Sequence, residues 1–227
     1  MRVAWYIVLV LAIDTSTPAV TAGVVHFDPE SDAAPKALAT RITVDARAHA
    51  EVLTPQILEC LAESGHTPAD LDAVVVGVGP GPFTGLRVGM ATGAAFGDAL
   101  GIPVHGVCSL DAIAADVGNF AGDRDLLVVT DARRREVYWA RYSGRTRVDG
   151  PNVIKPSELD PAPSEVIAGS ASHVDMFDLP VEPVETPSPV GLVSVAAQAL
   201  RVGVEPEPLV PLYLRRPDAV ELADRRK

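Results

Sequence analysis

The chain has 227 residues, 48% of them hydrophobic, and 19 Lys and Arg stand against 30 Asp and Glu, for a formal net charge of −11. That length and apolar content fit one large or two small folded domains and exclude a disordered tail. The acidic balance argues against a stand-alone RNA-binding module, because the summed field repels a polyanion.

An arginine at position 2 precedes an apolar run that reaches Ile13. The run ends in Asp14-Thr15-Ser16-Thr17 without a small-residue cleavage pattern and falls short of the roughly 20 residues of a membrane span. It therefore predicts a buried first strand over 7–13 rather than a leader or an anchor, and the residues before Ile7 read as an extension without an evident role. Apolar segments at 20–27 and 38–44, separated by a polar, turn-forming stretch at 28–35, complete an antiparallel meander. From 49 to 64 the period changes: Leu53, Ile57 and Leu61 recur every four residues and Gly65 follows as a stop. That is an amphipathic helix, with Pro55 near its start or at a kink. The aliphatic run at 71–78 predicts a strand covered on both faces.

Gly79-Pro80-Gly81-Pro82-Phe83-Thr84-Gly85 is a loop by composition, with Thr84 as the cap of a helix that runs to about Leu100. A strand at 104–107 and a helix from a Ser109 cap to about Val117 follow. In the second half, 126–130, 136–142 and 166–168 read as strands, 189–201 as a helix and 205–211 as an extended segment. The order predicts an N-terminal domain over 1–110, carrying the helices at 49–64 and 84–100, and a smaller α/β domain over 111–227.

Two of these segments resemble ligand loops. Asp14, Thr15 and Ser16 leave a buried strand as an acid followed by hydroxyls, which suits either a phosphate-binding hairpin or a turn that satisfies itself. Gly79 and Gly81 sit between a strand and a helix, the place of a phosphate loop. Yet Leu86-Arg87 replaces the Lys-Ser/Thr of a Walker loop, and two prolines remove N–H donors. Glycines at 85, 89, 93 and 97 form one stripe of the following helix. Each costs about 1 kcal/mol relative to alanine, so the stripe predicts close approach of another backbone, either the chain's own sheet or a partner. The arginines at 133–135 and the basic pairs near the C-terminus read as surface charge. The histidines at 26, 49, 66, 105 and 173 lack metal-ligand spacing, and no hydrolase motif is present. Cys60 and Cys108 read as buried thiols of a reducing cytoplasm.

Four segments in order, Leu9-Ala-Ile-Asp-Thr-Ser-Thr17, Gly79-Pro-Gly-Pro-Phe-Thr-Gly-Leu-Arg-Val-Gly89, Asp131-Ala-Arg-Arg-Arg-Glu-Val-Tyr-Trp139 and Pro211-Leu-Tyr-Leu-Arg215, resemble the TsaB (YeaZ) family of threonylcarbamoyladenosine biosynthesis. The resemblance implies an actin-like, ribonuclease-H-like α/β fold of the sugar kinase–Hsp70–actin superfamily, with two similar mixed-sheet domains of which the second is degenerate. It implies a cytoplasmic, non-catalytic subunit that pairs with a TsaD-type catalytic subunit and a TsaE-type P-loop ATPase and meets tRNA only through the complex. The partner contact would use Leu53, Ile57, Leu61, Gly85, Gly89, Gly93 and Gly97; a homodimer of the free chain stays open. The catalytic relative carries histidines four apart to hold its metal where Ser109 and Ile113 stand here. The resemblance therefore implies no metal and no cofactor, with Asp14, Thr15, Ser16, Gly79 and Gly81 as vestigial phosphate-type loops. An ATP-dependent small-molecule kinase of the same fold is the alternative, and Asp14 is its one candidate metal-binding acid.

Overall fold

The computed structural model describes residues 7–45, 48–121 and 124–215. Strand β1 (Val8–Asp14) pairs antiparallel with β2 (Ala19–Phe27), from Val8 opposite Phe27 to Asp14 opposite Thr21, and β2 pairs antiparallel with β3 (Lys36–Val44). This is the meander that the sequence predicts. On the other side of β1, β4 (Ala73–Gly77) and β5 (Val104–Val107) run parallel to it, giving the order β3-β2-β1-β4-β5.

Alternation along β1 sorts its side chains between two layers of helix. Leu9, Leu11 and Ile13 pack with Leu53, Ile57 and Leu61 of α1 (His49–Ser64) and with Leu86 and Met90 of α2 (Phe83–Leu100). Val10 and Ala12 pack instead with Leu192, Val193 and Ala196 of α5 (Pro189–Val202). A sheet covered on both faces has no solvent side, and this explains the unbroken aliphatic run of β4.

The second sheet repeats the pattern in reduced form. β6 (Asp125–Asp131), β7 (Val137–Ser143) and β8 (Thr146–Ile154) form an antiparallel meander, and β9 (Val166–Gly169) joins parallel to β6, in the order β8-β7-β6-β9. Where the first sheet has α1 between its third and fourth strands, the second has a single 3-10 turn at Pro156–Glu158. The helix after β9, α4 (Ala171–Val174), is one turn long.

Helix α3 (Ser109–Ala121) covers the second sheet, setting Leu110, Ile113 and Val117 against Leu126, Val128 and Tyr138. α3 crosses α5 closely: a β-carbon on Gly191 would lie 2.5 Å from the Ala112 carbonyl. Asp116 on α3 secures the crossing by accepting from Ser188 Oγ (2.6 Å) and Ser188 N–H (2.9 Å), while Ser188 Oγ accepts from Gly191 N–H and so caps α5.

Two expected caps are corrected. α2 starts at Phe83 behind Pro82 with no side-chain cap, so Thr84 lies inside its first turn. Ser109 is the first residue of α3, and its hydroxyl points away from the helix end, toward Asp14. Pro55 lies inside α1, which runs on to Gly65. No described helix is long and apolar enough to cross a membrane.

Candidate functional site

The four segments that carry the resemblance come from distant parts of the chain and meet at one place. Asp14 ends β1 fully buried. Its Oδ1 accepts from the Ser16 N–H (2.8 Å) and hydroxyl (2.7 Å), and its Oδ2 accepts from Ser109 Oγ (2.5 Å). Gly79 N–H donates to Ser109 Oγ at 3.3 Å. Thr15 Oγ1 donates to the Gly85 carbonyl (2.7 Å) and accepts from Gly89 N–H (3.0 Å). The acid and hydroxyls therefore serve the chain itself.

The glycines of the loop admit this turn. A β-carbon on Gly77 would meet the Asp14 carboxylate at 1.7 Å, and one on Gly81 would meet the Ser16 carbonyl oxygen at 2.2 Å. Backbone and carboxylate thus leave no room for a side chain at either glycine. Asp14, Thr15, Ser16, Gly79 and Gly81 lie together with Ser109 in one hydrogen-bonded knot.

The glycine stripe requires a correction. β-carbons on Gly85 and Gly89 would strike the Thr15 carbonyl (2.7 Å) and Thr15 Oγ1 (2.4 Å), and one on Gly97 would strike Val104 (2.1 Å); one on Gly93 would touch Ile13 and Val76 at 3.4 Å. All four face the chain's own sheet. Leu53, Ile57 and Leu61 are likewise buried in that core. None of these seven residues is exposed to a partner, because a helix lying on a twisted sheet asks for small residues as strongly as a helix–helix contact does.

The outward faces of the same helices are different. Leu58 of α1 is 52% exposed, and Ala91, Ala94, Ala95 and Ala99 of α2 are exposed. At the start of α2, Arg87 lies 3.7 Å from the Phe83 ring centroid and donates to the Tyr213 hydroxyl at 2.8 Å, while Phe83 and Tyr213 stack at 5.0 Å. Tyr, Phe and Arg are enriched at protein interfaces. The sequence reading did not single out this trio, although its members lie within two of the quoted segments.

The C-terminal extended segment ties the two halves together. Leu212 N–H donates to the Val78 carbonyl (2.9 Å). Arg215 donates to the Ala132 carbonyl (2.7 Å) and pairs with Glu136 at 3.0 Å, on either side of the 133–135 turn. In that turn Arg133, Arg134 and Arg135 hold φ values of 62°, 52° and 62°, a left-handed backbone that costs a non-glycine residue roughly 1–2 kcal/mol. Arg216 and the final basic residues lie outside the described residues.

Ser109 and Ile113 stand where the resemblance places paired histidines. The first is hydrogen-bonded to Asp14 and the second is fully buried in the second core, so neither offers a metal ligand of useful strength. Among the described residues no three His, Cys, Asp or Glu come together as a metal site. Cys60 and Cys108 are buried and free, and burial pushes their thiols up to about 11 and about 12, which makes them inert rather than reactive.

Burial raises the Asp14 carboxyl above the ordinary aspartate value of 3.8, against the hydrogen bonds from Ser109 and Ser16 that favour the charged form. A carboxyl whose pKa is raised on folding adds stability below its unfolded pKa and loses it as pH rises through the folded one. Asp14→Asn keeps the shape and removes the titration. The melting-temperature advantage of wild type over Asp14→Asn is therefore expected to shrink as pH rises above about 3.8, where the unfolded carboxyl ionises. A gap that widens with rising pH would mean that the hydrogen bonds outweigh burial.

A family model described as TsaD: tRNA N6-adenosine threonylcarbamoyltransferase matches residues 39–212. An uncharacterized protein of Mycobacterium tuberculosis H37Rv is 58% identical over 214 residues, covering 94% of this chain and 95% of its own. The tRNA threonylcarbamoyladenosine biosynthesis protein TsaB of Escherichia coli K12 is 36% identical over 127 residues, 52% of this chain and 54% of that protein. The solved structure of YeaZ from Pseudomonas aeruginosa superposes with a TM-score of 0.77 at 27% identity, over 91% of this chain and 100% of that one.

Proposed function

The chain belongs to the threonylcarbamoyltransferase-domain family, in its TsaB (YeaZ) branch, and on that premise we propose that it is an accessory subunit which pairs with a TsaD-type catalytic subunit for threonylcarbamoyl transfer to tRNA. A TsaE-type P-loop ATPase completes the assembly, and the chain itself performs no transfer chemistry. The observation that carries this reading is the pair Ser109 and Ile113. A hydroxyl bonded to a buried carboxylate and a buried aliphatic side chain stand where the resemblance puts a metal-holding histidine pair, and this donor set does not fit a metal.

The kinase alternative needs an open acid and an open phosphate loop. Asp14 is fully buried and hydrogen-bonded to Ser16 and Ser109, and Gly77 and Gly81 abut it and Ser16. This supports the accessory role. The partner face in this reading is the outer side of α1 and α2, with Leu58 and the exposed alanines, rather than the glycine stripe beneath.

The test is reconstitution. The purified chain, threonylcarbamoyl-AMP and unmodified tRNA are expected to give no modified nucleoside, and product is expected once the TsaD-type and TsaE-type proteins are supplied. Modification by this chain alone would overturn the accessory reading. Failure of the chain to associate with the TsaD-type protein, in a pull-down of the two purified proteins, would overturn the pairing.

A further inference from the structure

Among the described residues ten have positive φ: seven are glycines and the other three are Arg133, Arg134 and Arg135. Glycine satisfies such a backbone without steric strain, and asparagine with little. The turn between β6 and β7 instead keeps three exposed arginines there, so the guanidinium groups must serve something that a glycine turn could not.

The turn is held from its base. Asp131 Oδ1 accepts the Arg133 N–H at 2.7 Å, Glu136 N–H donates to the Arg133 carbonyl at 3.0 Å, and Arg215 grips Ala132 and Glu136. The Arg133 guanidinium also lies 3.4 Å from Asp131. A braced apex carrying consecutive arginines is a fixed cationic spot on a chain of net charge −11. Such a spot cannot draw a polyanion from a distance against the summed field, but it can grip one already delivered.

We propose that the 133–135 turn contacts the phosphate backbone of the tRNA held by the assembled complex. The inference rests on the accessory-subunit reading. Arginine forks match phosphate oxygens bidentately, and a nucleic-acid backbone offers them at regular intervals to neighbouring side chains. The turn belongs to the second sheet, whereas the proposed partner face belongs to α1 and α2 over the first.

The experiment uses the chain assembled with its TsaD-type subunit and an unmodified tRNA transcript as probe, with affinity measured across a salt series. One variant combines Arg133→Gly, Arg134→Gly and Arg135→Gly; a second puts lysine at the same three positions. The glycine variant is expected to melt no lower than wild type and to bind the TsaD-type subunit normally. It is expected to lose about tenfold or more in tRNA affinity, with the salt slope shallower by about 1 for each lost phosphate contact. The lysine variant should keep most of the slope. Wild-type affinity and slope in the glycine variant would overturn the proposal, as would a loss confined to subunit binding, which would assign the turn to a protein contact. If wild-type chain and TsaD-type subunit fail to associate at all, the accessory reading falls and takes this inference with it; if they associate and only the RNA results are negative, the inference alone falls.

Discussion

Gly89→Leu is expected to lower the melting temperature of the free chain by about 6–12 °C, the size of a roughly 3 kcal/mol overpacking penalty in a domain of this length. A β-carbon at this position would lie 2.4 Å from Thr15 Oγ1. That oxygen is held in place, donating to the Gly85 carbonyl and accepting from Gly89 N–H. Gly97→Leu should behave alike because of Val104. Gly93→Ala is the internal contrast: its new methyl would make ordinary contact with Ile13 and Val76, so the variant should be neutral or gain up to about 1 kcal/mol in helix propensity. Thermal melts of the three variants check the ordering. A Gly89→Leu chain that melts with wild type and instead fails to bind its partner would mean that the stripe faces outward, against the packing described above.

The stripe shows what a single sequence displays and what it hides. A four-residue spacing puts glycines on one face of a helix, but nothing in the spacing says whether a sheet or a second helix lies against them. The meander and β4 were legible because period and β-branching act locally. β8 was not, since Asp149, Gly150 and Pro151 interrupt it and its face is largely solvent. The segment at 189–201 reads as a helix, yet the return of α5 to the first sheet is a long-range event without a local sign. Asp14 could be read as ligand or as turn because the hydroxyl that decides the matter, Ser109, is 95 residues away. The left-handed turn at 133–135 was invisible, as its residues are those least suited to that backbone.

The other large effect concerns the outer face of α1 and α2. Leu58→Arg and Ala95→Arg each place a long cation on an exposed helix position where arginine is a good helix former, so each variant is expected to melt within about 2 °C of wild type. Leu58 is about half exposed and Ala95 stands among the exposed alanines of α2. Small side chains there allow a partner helix to approach closely. If the TsaD-type subunit docks on this face, the added volume and the buried unpaired charge should cost about 2 kcal/mol or more, or roughly 30-fold in affinity. In the reconstituted reaction the loss should appear at low subunit concentration and be recovered by adding more of the variant, as the accessory reading requires. Val148→Arg, on the solvent face of β8 and 61% exposed, is the control and should bind as wild type does. If the two helix variants keep full affinity while Val148→Arg loses it, the partner sits on the second sheet and the assignment to α1 and α2 is wrong.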